Sequence, residues 1–193
     1  MDEYLRELGL DLSDCVIAAK QLLGYKLVHE TQYGRISGYI VETEAYHNTD
    51  PASHSFRGQT KRNTSVFQRS GTIYVYFTYG MHWCMNIVTG NEGDGQAVLI
   101  RALEPIEGVK IMQQYRKQDN LIQLTNGPAK LTKAILVNKE QDGTNLLDGP
   151  LRLEKGFKPK KIVVSPRIGI KQAVEYPWRF YISDNKFVSK LKK

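Results

Sequence analysis

The chain has 193 residues, 41% of them apolar, with a formal net charge of +7 and a pI of about 9.3. That apolar content excludes a disordered chain and suits one domain, spanning residues 1–193, with a sizeable core. The positive balance points to a polyanionic partner, with nucleic acid ahead of a membrane surface.

The opening residues Met1-Asp2-Glu3-Tyr4 are acidic, unlike a signal peptide. No run approaches the roughly 20 apolar residues that cross a bilayer. An intracellular protein with no membrane partner is expected, cytoplasmic and associated with the nucleoid if bacterial. A helix is predicted from an N-cap at Ser13, because Leu12, Cys15, Val16, Ala19, Leu22 and Leu23 recur at helical spacing and Gly24 fits the stop. Cys15 and Cys84, the only cysteines, form no C-x-x-C pair, so neither a zinc site nor a disulfide framework is expected. A strand over Tyr25–Glu30, a turn at Tyr33-Gly34 and a strand over Ile36–Tyr46 follow.

Thr72–Thr78 is almost wholly β-branched or aromatic, Tyr79-Gly80 breaks it, and Met81–Val88 returns, which predicts a long hairpin. A strand over Ala97–Leu103 comes next. Pro105 suits the first turn of a helix reaching Lys117, and Gly127-Pro128 opens another over Ala129–Leu136. Short strands are predicted at Leu151–Glu154, Lys161–Ser165 and Arg179–Ser183, and a frayed basic tail at Lys190–Lys193. The mixed order predicts an α+β domain around a curved antiparallel sheet, with surrounding helices and a protruding hairpin.

On the strand ending at Tyr46, period two puts Glu42, Glu44 and Tyr46 on one face. This is either a solvated edge or an acid/base site with an aromatic wall, and spacing does not choose between the two glutamates. Arg101 stands in an otherwise apolar strand, so it needs a buried partner or serves a site. Asn86 sits among apolar neighbours. The tip Thr78-Tyr79-Gly80-Met81 is apolar and would cost solubility unless something covers it. It could fold back onto its own domain or act as a wedge in a minor groove. His54 reads as a loop histidine. Arg62 belongs to a basic stretch, Arg57–Arg69, that could meet phosphates or simply be solvated. Lys130, in the first turn of a helix, opposes the helix dipole, a conflict that a phosphate would resolve.

Taken in order, Val41-Glu42-Thr43-Glu44-Ala45-Tyr46, Gln59-Thr60-Lys61-Arg62-Asn63, Gly71–Asn86 and Arg101-Ala102-Leu103-Glu104-Pro105 resemble the alkyladenine (3-methyladenine) DNA glycosylase family, of the mammalian and Gram-positive type without a helix-hairpin-helix motif. Weaker matches lie at Gly127-Pro128-Ala129-Lys130-Leu131, Arg167-Ile168-Gly169-Ile170 and Trp178-Arg179-Phe180-Tyr181, while His82-Trp83 departs from the mammalian pattern. The resemblance implies that Glu44 is the general base activating water, with Arg101 and the Ile168 carbonyl helping to hold that water. It implies that Tyr46, His54 and Tyr76 wall the pocket for a flipped base and that Asn86 disfavours guanine. Tyr79 would fill the gap left in the duplex, and Met81 would support it in the minor groove.

The implied reaction is hydrolysis of the N-glycosidic bond of an alkylated or deaminated purine in double-stranded DNA: 3-methyladenine, 7-methylguanine, hypoxanthine or ethenoadenine. Positive charge builds on the sugar as that bond breaks, and a carboxylate can both balance it and accept a proton from water. No lysine is placed on the active face, so a monofunctional enzyme leaving an abasic site is expected. It would act as a monomer, without metal or other cofactor. The alternatives are a nucleic-acid-binding module without catalysis and a protein-interaction domain using the Tyr79 tip.

Overall fold

The computed structural model describes residues 3–189, so Met1, Asp2 and the basic tail Lys190–Lys193 lie outside the described part. In chain order the elements are α1 (Glu3–Leu8), α2 (Cys15–Gln21), β1 (Lys26–Thr31), β2 (Gly34–Tyr46), β3 (Ile73–Thr78), β4 (His82–Thr89), β5 (Gln96–Glu107), α3 (Val109–Arg116), α4 (Leu121–Thr125), α5 (Pro128–Ala134), β6 (Leu151–Glu154), β7 (Ile162–Ser165) and β8 (Arg179–Ile182). Every strand pairing is antiparallel, and the order is β3-β4-β5-β2-β1-β6, with β8 bridging β2 and β7. This is the α+β class expected, a single domain built on one curved sheet.

The thirteen-residue strand β2 organises the sheet. One of its sides pairs with β5. Along the other, its first half pairs with β1 and Glu42–Glu44 pair with β8. The helices cover the sheet with apolar side chains. Cys15, Ala18, Ala19 and Leu22 of the α2 region are fully buried, as are Ile40, Val41, Ile100 and Leu103 of the paired strands. Among the described residues, no helix is long and apolar enough to cross a membrane.

Two expectations need correction. The N-cap of α2 is Asp14, whose carboxylate accepts from the Val16 and Ile17 amides, not Ser13; the Ser13 amide is turned back to Asp11. Pro105 does not open a helix. It lies within β5 opposite Gly38, where the register shifts, and α3 starts four residues later behind Gly108. Proline is tolerated there because β4 pairs only with Gln96–Leu99, so the far side of β5 needs no ladder donor at Pro105. Gly38 permits the approach, since a Cβ there would lie 2.8 Å from the Glu104 carbonyl oxygen. Short helices α1 and α4 were not anticipated; neither has a long periodic pattern.

The hairpin tip is a tight turn in which the Met81 amide donates to the Thr78 carbonyl at 3.3 Å. Tyr79 and Gly80 both have positive φ, 51° and 66°, as a type I′ turn requires. Tyrosine pays about 1 kcal/mol or more for that conformation, and it leaves Tyr79 83% exposed.

Two of the groups that weaken the fold in acid are His29 and Glu154. Burial outweighs the bond from His29 Nδ1 to the Ile135 carbonyl and lowers the imidazole pKa below its ordinary 6.5. Lys26, 2.7 Å away, and then Arg35 hold Glu154 down to about 2. Both folded values lie below the unfolded ones, so the unfolded chain binds more protons as pH falls. Stability is therefore complete above pH 6.5, declines first as His29 is forced to protonate, and declines again between about 4.5 and 2 as Glu154 does. Thermal melts from pH 7.5 to 3 should show this descent. A melting temperature unchanged between pH 7.5 and 5 would refute the histidine part.

Candidate active site

The site begins with a fault in the β2–β5 ladder. Glu42 pairs with Ala102 and Thr43 with Ile100, so Arg101 is an extra residue on β5. A matching irregularity between Ile40 and Glu42 sets Val41 apart on β2. Bulges of this kind re-aim side chains. The Arg101 side chain reaches both glutamates, Nε to Glu42 at 3.0 Å and Nη1 to Glu44 at 3.1 Å.

The two glutamates, equivalent by spacing, have different surroundings. Glu42 accepts four hydrogen bonds: from Arg101 Nε, Arg179 Nε at 2.7 Å, and the Ser189 amide and hydroxyl at 2.6 and 2.8 Å. It is committed to tying β8 and the following chain to β2. Glu44 accepts three: from the Tyr46 hydroxyl at 2.9 Å and Arg101 on Oε2, and from the Ile168 amide at 2.7 Å on Oε1. Both carboxylates are 0% exposed. Two carboxylates face two guanidiniums, so the buried charges cancel. A carboxylate offers roughly four acceptor positions, and the one left open on Glu44 belongs to Oε1. The Ile168 group facing Glu44 is its N–H.

Beside this cluster is a cavity of about 490 Å³. Tyr46, Arg101 and Ile168, the three donors to Glu44, all line it, together with His54, Tyr76 and Asn86. Glu44 lies behind that lining. Strand β3 presents Tyr74, Tyr76 and Thr78 on this side, and their β4 partners Asn86 and Cys84 complete the wall. The His54 ring packs edge-on to Tyr76, with centroids 4.4 Å apart, and its Nδ1 is 2.9 Å from the Tyr74 hydroxyl. Burial, and then the charge of Arg62, lower the His54 pKa, so this imidazole is neutral at pH 7. Burial raises the phenols of Tyr46, Tyr74 and Tyr76, which stay protonated. Asn86 is held by its own Nδ2, which donates to the Tyr74 carbonyl at 3.1 Å. An aromatic cavity with an uncharged imidazole and a carboxylate behind one wall suits a flat, electron-poor ring.

Of the remaining sequence candidates, Tyr79 borders the cavity. Met81 and Lys130 line a separate groove. Lys130 Nζ donates to Asn126 Oδ1 at 2.7 Å and Gln123 Oε1 at 3.0 Å. Arg62 donates to the Phe77 carbonyl at 2.8 Å, which ties the basic loop to the hairpin.

Three features were missed. Tyr74 orients His54. Lys171 stands exposed among the cavity-lining residues, so a lysine is present on this face after all. The third is a buried ion pair, Arg167 with Asp50, both side chains 0% exposed. The Arg167 guanidinium also lies 4.7 Å from the Tyr46 ring centroid and donates to the Ala45 carbonyl at 3.0 Å. It therefore backs Tyr46 and ties down the chain just before Ile168, so it supports two of the three donors to Glu44. Nothing in local spacing joins positions 117 residues apart.

The family model described as methylpurine-DNA glycosylase (MPG) matches residues 10–186. The chain belongs to the methylpurine-DNA glycosylase family. A Francisella tularensis relative is 51% identical over 178 residues, covering 90% of this chain and 92% of the relative. One from Methanoculleus marisnigri is 46% identical over 182 residues, and one from Carboxydothermus hydrogenoformans 48% over 180, each covering 92% of this chain and 94% of the relative. All three carry the printed name "Putative 3-methyladenine DNA glycosylase". Membership makes this chain a DNA-repair glycosylase that takes DNA as its substrate. Among its described residues, no group of three or more His, Cys, Asp or Glu is arranged to hold a metal ion.

Proposed function

We propose that this methylpurine-DNA glycosylase acts as a monomer on double-stranded DNA, receives a flipped, damaged purine in the aromatic cavity and hydrolyses its N-glycosidic bond with water activated by Glu44. The observation that carries this reading is the open acceptor position on a fully buried carboxylate whose three donors are themselves cavity walls. On this reading, the open position takes a water and delivers it to the sugar of the base seated in the cavity. Arg101, Tyr46 and the Ile168 amide hold the carboxylate to one geometry, which favours the general-base role.

The walls fit the lesions. Tyr46, Tyr76 and His54 offer stacking faces to cationic 3-methyladenine and 7-methylguanine and to neutral hypoxanthine and ethenoadenine. Asn86, fixed by the Tyr74 carbonyl, would crowd the 2-amino group of ordinary guanine. Tyr79, projecting from its strained turn, would occupy the space vacated in the duplex while Met81 touches the minor groove. Arg62 would lie near the backbone beside the hairpin.

Monofunctionality rests on the buried water-activating carboxylate, since the rim does hold Lys171. The test is base release from duplexes carrying each of the four lesions, scored with and without alkali. Release of free base with strand breaks only after alkali is expected. Strand breaks without alkali would assign an amine-driven lyase step to the rim, and release of no base would leave a binding module. Tyr79→Ala should bind a duplex containing a stable abasic analogue about tenfold or more weakly, in line with the loss of one or two stacked contacts. Unchanged affinity would mean that the tip is not a wedge.

A further inference from the structure

The hairpin separates two cavities. Alternation puts Tyr74, Tyr76, Thr78, Cys84 and Asn86 on the face that walls the base cavity. Phe77 and Trp83, paired across the ribbon with rings 4.7 Å apart, belong to the opposite face. On that side lies a second, larger groove of about 1330 Å³, bounded by Met81 and Trp83 of the hairpin, α3 and α5.

Among the described residues, this groove carries an excess of positive charge, with Arg116, Lys130 and Lys133 against the single unpaired acid Glu140. Arg116 gives Nε to the Leu124 carbonyl at 3.0 Å and Nη2 to the Gln123 carbonyl. Lys130 gives its ammonium to two amide oxygens. All these partners are neutral, and among the described residues neither cation forms an ion pair. Burial, and then the charge of Arg116, lower the Lys130 pKa, as expected for two cations held near each other without an anion. Lys133, one helical turn along on α5, is exposed and lines the same groove. Of the acids that also line it, Glu30 is taken by Arg35 and Arg152, and Glu140 lies on the turn after α5.

We propose that this groove seats the sugar-phosphate backbone of the undamaged strand, with Arg116, Lys130 and Lys133 as its phosphate partners. The inference rests on the glycosylase reading above. A ribbon inserted into a duplex puts the lesion strand on one face and its complement on the other. Here one face backs a base-sized aromatic cavity and the other a long cationic groove. The hairpin thus sorts the strands, and the enzyme prefers duplex DNA because only a duplex fills both sides.

The test is the salt dependence of binding to an oligonucleotide carrying a stable abasic analogue, as a duplex and as a single strand. Lys133→Glu alters only an exposed side chain, and Lys130→Gln removes the half-buried charge. Each should lower the slope of log affinity against log salt by about 1 for the duplex, through loss of one phosphate contact. Duplex affinity should fall about tenfold, and single-strand binding should not change. Equal losses on both forms would place the lesion strand in the groove and overturn the proposal, as would an unchanged duplex slope in Lys133→Glu. Absence of base release by the wild-type protein would instead defeat the glycosylase reading. Normal release with unaltered duplex slopes would defeat the groove assignment alone.

Discussion

Glu44→Gln protein should bind an abasic-analogue duplex as the wild type does, yet release hypoxanthine on the order of 10²–10⁴-fold more slowly in single turnover, the scale of a lost general base. The substitution is nearly isosteric and removes the charge that water activation needs. It also carries a structural cost that can be read separately. Glu44 accepts from the Ile168 amide on one oxygen and from Arg101 and Tyr46 on the other. An amide side chain must turn its NH₂ toward one of these sides. The Tyr46 hydroxyl can reverse and accept, but the Ile168 N–H and the Arg101 guanidinium cannot. One donor is then left unmatched, at about 1–3 kcal/mol. The expected signature is a slightly lower melting temperature with a very large loss of rate. Release within tenfold of wild type would remove Glu44 from the chemistry.

Glu42→Ala should behave in the opposite way. Its carboxylate is the shared acceptor for Arg101, Arg179 and both polar groups of Ser189. Deleting it leaves Arg179 without its carboxylate partner and Arg101 with Glu44 alone. Breaking a buried pair by removing one partner costs about 3–5 kcal/mol. For a domain of this size that corresponds to a fall in melting temperature of roughly 6–20 °C. Below that transition the remaining Arg101–Glu44 bond should preserve much of the release rate. A stable Glu42→Ala protein without activity would mean that the two glutamates exchange roles.

The contrast between these residues shows what local sequence carries. The strand that holds both glutamates, the hairpin and its turn, and the helix over Cys15–Gln21 were legible, because alternation, turn chemistry and helical spacing are short-range signals. The choice between Glu42 and Glu44 was not, because it depends on what arrives from elsewhere: Arg179 and Ser189 for one, Ile168 for the other. The resemblance to known glycosylases selected Glu44, and its surroundings now supply a physical reason. Arg101 was visible as a charge in an apolar strand, but the bulge that aims it is a property of register between two strands and leaves no mark on either alone. Pro105 misled for the same reason: its tolerance depends on where β4 stops. Asp50 and Arg167 stand 117 residues apart, and only the fold brings them together.

The bonds around Glu44 have one more consequence, for the order of events along the chain. Its donors stand 2, 57 and 124 residues away in sequence. Closing a loop of 124 residues is slow compared with forming a hairpin or a helix. The last donor can arrive only after the sheet around β2 and β5 exists to receive the Arg167–Ile168 segment. If Glu44 and the hairpin act as proposed, a nascent or partly unfolded chain would have its DNA-contacting hairpin before its catalytic carboxylate was held in place. On that reading, competence to touch the genome would precede competence to cut a base from it, and severing a glycosidic bond would be reserved for the fully assembled molecule.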